Sequence, residues 1–117
     1  MKKDPFIFIR HILENIEDIE EFSEGLTKNA LEQNKLKKKA IIRSLEVIGE
    51  AVKNIPPSFK NKYPLVEWVK LAGLRDKLIH HYFGVDFGIV WEVVKEDLPQ
   101  LKKEMQRILV VEEQEGG

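Results

Sequence analysis

Cysteine is absent from the 117 residues, which excludes disulfide frameworks, thiolate zinc sites and cysteine nucleophiles together. A reducing, cytoplasmic setting fits that absence. No charge sign dominates either: 19 Lys plus Arg stand against 20 Asp plus Glu, a formal net charge of −1. The chain therefore has no global basic field to attract a polyanion, and any contact with one must be local. There is no signal-peptide pattern in the opening Met1-Lys2-Lys3-Asp4-Pro5 and no run of the roughly 18 apolar residues that a membrane span needs, so no membrane partner is expected. Strand alternation, internal repeats and low-complexity blocks are missing as well.

What is present is helical periodicity. At 117 residues and 43% hydrophobic content, the chain is long enough to close one core, and residues 1–117 are expected to form a single domain. Asp4 is placed to cap a helix opened by Pro5, in which Ile9, Ile12, Leu13, Ile16 and Ile19 recur at three- and four-residue steps until Gly25. Glu14, Glu17, Asp18, Glu20, Glu21 and Glu24 form its solvated face. Thr27 can cap a second stretch running towards Asn54, with a break near Asn34 and a firm stop at Pro56-Pro57. There Ile41, Ile42, Leu45, Ile48 and Val52 make an apolar face, while Arg43, Glu46 and Glu50 gather opposite, either as a buried network that positions a neighbouring helix or as a solvated charged stripe, the network being favoured.

A third helix is predicted from Leu65 to Tyr82, opened by Pro64, bent at Gly73 and capped near Gly84. Asp86 is a natural N-cap for a fourth, carrying Val90, Trp91, Val94 and Leu98, and Pro99 interrupts it before Leu101, Met105, Ile108 and Leu109. Residues 111–117 form a polar tail expected to fray. Short connections between these helices predict an all-α fold, an antiparallel bundle of four to five helices. Trp68 and Trp91 read as packing anchors, and the run Lys35, Lys37, Lys38 and Lys39 as a solvated lysine face.

One position breaks the pattern. At about 100° per residue, Leu71, Leu78, Ile79 and Tyr82 share a face, and Arg75 falls in its middle. A permanent cation at the centre of an apolar stripe needs a carboxylate, a symmetry-related chain or an anionic ligand. Tyr82, seven residues on, lies two turns above Arg75, whereas His80 is offset by about 140°. A twofold packing of this helix would bring two copies of Arg75, His80 and Tyr82 together. His80 and His81 point apart on a helix and make, with Asp86, a poor metal site, so no metal is expected.

The spacing Arg75-x-x-x-x-His80-x-Tyr82 resembles the signature of HEPN domains of the HepT-like ribonuclease toxin family. The likeness extends to Arg43-Ser44-Leu45-Glu46-Val47-Ile48-Gly49-Glu50-Ala51, Tyr63-Pro64, Trp68, Gly73-Leu74-Arg75, Tyr82-Phe83-Gly84-Val85-Asp86 and Val90-Trp91, in order along nearly the whole chain. The resemblance implies an endoribonuclease that needs no metal or cofactor and acts as a homodimer with its cleft at the interface. It implies an RNA substrate cut by 2′-hydroxyl attack to leave 2′,3′-cyclic phosphate ends, and a minimal nucleotidyltransferase antitoxin that adds AMP to Tyr82. Arg75 and His80 would be catalytic, with Arg43, Glu46, Glu50 and Asp76 in support. The position after the motif arginine is often Asn in this family and is Asp76 here, a carboxylate able to pair with Arg75 or to repel phosphate. A non-catalytic partner of a nucleotidyltransferase, holding a nucleotide or nucleic acid in the same cleft, is the alternative.

Overall fold

The helices begin where side chains can satisfy their first backbone N–H groups. In a computed structural model, which describes residues 4–79 and 87–116 apart from the side chains of residues 75, 78, 79 and 116, Asp4 accepts a hydrogen bond from the Phe6 N–H at 2.9 Å. Helix α1 then spans Pro5–Ser23. Its fully buried face is Ile9, Ile12, Ile16 and Ile19, the three- and four-residue steps of an amphipathic helix. Gly25, with φ at +72°, turns the chain in the left-handed conformation that glycine adopts without a Cβ penalty.

Thr27 caps α2 (Lys28–Gln33), accepting from the Ala30 N–H at 3.1 Å. The break near Asn34 follows from that residue serving two helices. Its N–H donates to the Leu31 carbonyl and closes α2, while its side chain accepts from the Lys37 N–H at 3.0 Å and opens α3 (Lys35–Asn54). Asn is suited to both roles because its short amide reaches backbone groups two or three residues on. Ile41, Leu45, Ile48 and Val52 are fully buried and Ile42 half-buried, and α3 packs along α1 as its main partner.

The third helix departs from expectation at both its start and its continuity. Pro57–Lys60 forms a short helix, α4, between the double-proline stop and the predicted third helix. The next helix does not begin at Leu65, which is exposed, but at Trp68. The Trp68 indole N–H donates to the Tyr63 carbonyl at 2.9 Å and to the Lys60 carbonyl at 3.2 Å, so the preceding residues are held as turns around a buried ring. Helix α5 (Trp68–Ala72) and helix α6 (Leu74–Ile79) meet at Gly73, where the predicted bend becomes a division.

Helix α7 spans Phe87–Glu92, starting just after Asp86, and widens into a π-helical turn at Val93–Asp97 before α8 (Leu98–Gly116). Pro99 thereby occupies the first turn of α8, where its missing N–H is no loss, and the widened turn relieves its ring against the preceding carbonyls. The tail that was expected to fray stays helical to Gly116. Its anchor is Glu112, which accepts from the Tyr63 hydroxyl and pairs with Lys62 Nζ at 2.7 Å.

Leu31, Leu45, Ile48, Met105 and Ile108 join the α1 isoleucines in one buried cluster. Burying each such side chain is worth roughly 1.5–3 kcal/mol. Among the described residues every regular element is helical, and no helix there is long and apolar enough to cross a membrane. The fold is an all-α bundle.

Candidate functional site

The segment carrying Arg75 is held from two sides. Upstream, α5 is fixed by its buried Trp68 and by Lys70, whose ammonium lies 3.5 Å from Glu67 and 3.6 Å from Asp97. Asp97 above all, then Glu67, raises the Lys70 pKa. Because Asp97 closes the π-helical turn, this pair ties α5 to the last third of the chain. Downstream, α6 packs on α3. Leu74 is buried while Asp76 and Lys77 face solvent, and the Lys77 N–H returns to the Gly73 carbonyl at 2.9 Å. The backbone of Arg75 sits between a core anchor and two solvated charges.

Asp76 lies 4.0 Å from Lys53 of α3, a contact of its carboxylate with α3 that the sequence did not single out. Both groups are well exposed, so the pair orients charge more than it stabilises the fold. His80, His81, Tyr82, Gly84 and Asp86 lie outside the described residues, as do the side chains of Arg75, Leu78 and Ile79. Of the apolar stripe around Arg75, Leu71 is described, and it is buried in the core of its own chain.

Arg43, Glu46 and Glu50 do share α3, but Arg43 is at the surface. Its guanidinium is 3.6 Å from Glu46 with the arginine side chain 73% exposed, so the Arg43 end of the set is a solvated i,i+3 pair. Glu46 and Glu50 are half-buried, and the Glu50 carbonyl accepts from the Asn54 side chain at 2.8 Å. The acidic residues of α1 are solvated as expected, with Glu20 reaching Lys102 of α8 at 2.8 Å. Trp91 packs against the core with Lys95 over its ring at 4.7 Å. Among the described residues no group of three His, Asp or Glu side chains could hold a metal ion.

The strongest electrostatic node lies between the α4–α5 connection and α8. Burial, and then the Glu112 carboxylate, pushes the Tyr63 hydroxyl up to about 12. Glu112 is held below the usual carboxylate range by its hydrogen bonds from Lys62 and Tyr63. Sequence spacing gives no signal for such a triad, since Glu112 comes from the far end of the chain. Its effect reaches α5, because the Tyr63 carbonyl is the acceptor for Trp68.

Comparison with known proteins adds what geometry alone does not. Residues 12–108 match the family model HepT-like, described as ribonuclease HepT-like. The chain belongs to the HepT-like ribonuclease family. It is 51% identical over 108 residues to "Putative RNase MJ0127" of Methanocaldococcus jannaschii, covering 92% of this chain and 89% of that one. It is 44% identical over 108 residues to "Probable ribonuclease HepT" of Thermococcus cleftensis, covering 92% of this chain and 98% of that one. No solved structure matches. Within the HepT-like family match fall α6, with its Arg75, and the whole span to Tyr82.

Proposed function

We propose that this protein is an endoribonuclease toxin that cleaves RNA without a metal, with Arg75 and His80 as catalytic residues in a cleft formed by a homodimer. The observation that carries the reading is the Arg75-x-x-x-x-His80-x-Tyr82 run, in a chain of the HepT-like ribonuclease family, starting on a helix braced through Trp68, Leu74 and the Lys70–Asp97 pair. Such bracing suits a site whose groups must be held in place before substrate arrives.

The chemistry follows from the residue types. A 2′-hydroxyl oxygen attacks the adjacent phosphorus, its proton passing to the imidazole of His80. Negative charge grows on the non-bridging oxygens, where the Arg75 guanidinium donates two hydrogen bonds. The phosphorus–O5′ bond then breaks. In a twofold dimer the leaving oxygen takes its proton from a second imidazolium, the partner subunit's His80. The products are a 2′,3′-cyclic phosphate and a 5′-hydroxyl, and no other reactant is required. An AMP group transferred to Tyr82 by a nucleotidyltransferase antitoxin would set a phosphate beside Arg75, removing the free cation and filling the cleft.

The test is cleavage of single-stranded RNA by the purified protein in EDTA. Arg75→Ala is expected to lower kcat by about 10²–10³ and His80→Ala by about 10²–10⁴. Equal behaviour of wild type and both variants would leave the non-catalytic, nucleotide-binding partner as the better reading. Incubation with ATP and the antitoxin, followed by peptide mass spectrometry, is expected to find the adduct on Tyr82 and none on Tyr82→Phe.

A further inference from the structure

At the C-terminal end of α3 the surface opens into a groove of about 680 Å³. Its apolar lining is Pro5, Pro56 and Pro57 over the largely buried Ile55 and Phe59, with Ser58 at the surface and Lys53 and Lys62 beside it. No carboxylate is among the described residues that line it. Two other depressions differ in that respect. One is lined by Glu20, Glu21 and Glu24 against the single base Lys95, the other by Glu67, Glu96, Asp97 and Glu104 against Lys70. Carboxylates predominate in both, whereas the charged groups among the described residues lining the groove at the end of α3 are Lys53 and Lys62.

Its size is that of sites for small organic groups, which run to roughly 300–1,000 Å³. The lysine side chains are 40% exposed at Lys53 and 48% at Lys62, so each ammonium reaches water although a carboxylate of the protein already stands beside it, and a phosphate would share or displace that partner. Lys62 is already oriented: it bonds both Glu112 oxygens, at 3.0 and 2.7 Å, and lies 5.7 Å from the centre of the Phe59 ring. Lys53 is within 4.0 Å of Asp76, the residue after Arg75, which puts the groove beside the helix that starts the catalytic run. An apolar wall of prolines flanked by two cations matches one chemical unit, an aromatic base joined to a phosphate.

We propose that this groove is a subsite for a nucleotide flanking the cleavage position of single-stranded RNA, its base against Pro56, Pro57 and Phe59 and its phosphate between Lys53 and Lys62. The inference rests on the ribonuclease reading above. It accounts for how a chain with balanced charge holds RNA: the cations are gathered locally, beside the site and away from the acidic depressions. Such a subsite lengthens the stretch of RNA the protein grips without touching the bond that breaks.

The experiment is binding, which needs no cleavage. A 2′-O-methyl octanucleotide lacks the attacking hydroxyl and stays intact, and its affinity is read by fluorescence anisotropy across a salt series. Lys53→Gln and Ser58→Glu are expected to weaken it about five- to tenfold each. Lys53→Gln should also flatten the slope of log K against log salt by about 0.7, the value for one lost contact on a single strand. Lys103→Gln, an exposed lysine on α8, should bind as wild type, and melting curves check that all three variants are folded. An octamer carrying 5-iodouridine should crosslink to the peptide that contains Phe59. Wild-type affinity in both groove variants, crosslinks that map elsewhere, or no binding by the wild type would each overturn the subsite. Cleavage that Arg75→Ala abolishes, with crosslinks elsewhere, removes the subsite alone. Groove binding without cleavage by the wild type removes the ribonuclease reading alone.

Discussion

Replacing Glu112 by Gln keeps the shape of the side chain and deletes its charge, which isolates what the carboxylate contributes at the node joining α8 to the α4–α5 connection. The side chain is only 11% exposed, and its two oxygens serve Tyr63 and Lys62. A hydrogen bond to a charged acceptor is worth about 1.5–3 kcal/mol net and a neutral one about 1, so the Tyr63 bond should lose roughly 1–1.5 kcal/mol. The Lys62 pair is half in water and adds at most about 0.5–1 kcal/mol. The total is about 2 kcal/mol at pH 7. For 117 residues the unfolding entropy near the midpoint is about 0.25 kcal/mol per degree, which converts this to a Tm lower by about 8 °C.

The pH dependence has a definite sign. The folded Glu112 carboxyl is held below its ordinary value, so its contribution is present above the unfolded pKa of about 4.3 and is lost as pH falls through the folded one. Wild type and Glu112→Gln should therefore converge in acid, and thermal melts by circular dichroism at pH 7 and pH 3 measure both points. A Tm difference under about 2 °C at pH 7, or one as large at pH 3 as at pH 7, would refute the reasoning.

Two further substitutions probe α3, the helix on which α6 packs. Ile48→Ala, at a fully buried position of α3, should destabilise by about 2–5 kcal/mol in urea unfolding, since the removed methyl groups leave a cavity in a packed interior. Arg43→Ala removes half of a solvated ion pair and should change stability by less than about 0.5 kcal/mol in the same assay; a loss above about 2 kcal/mol would show that the pair braces the bundle after all.

The elements whose positions could be read from the chain are those set by local chemistry. Asp4, Thr27 and Asn34 act as caps where they stand, because a short polar side chain reaches N–H groups two or three residues away whatever the rest of the fold does. The isoleucine periodicity of α1 and the apolar face of α3 needed no more than a helical repeat. Gly73 likewise marked the division between α5 and α6, whereas near Pro99 the helix continues and the irregularity is the π-helical turn just before it. The candidate site was legible at the level of residue types and spacing, and its likeness to a family agrees with the match over residues 12–108.

What tertiary structure decided was everything that joins distant parts of the chain. Helix α5 starts at Trp68 and not at Leu65 because the indole N–H must find acceptors once the ring is buried, and it finds them on Tyr63 and Lys60. The tail holds as helix because Glu112 meets Lys62 and Tyr63 across about fifty residues of sequence. Arg43 is exposed, although spacing alone allowed it to be a buried brace. The groove beside α6 exists because the end of α3, the double proline and Lys62 converge, and no periodicity encodes that convergence. Local hydrogen bonding and hydrophobic repeat therefore wrote the helices into the sequence, whereas charge pairing and concave surface arose only when the helices packed.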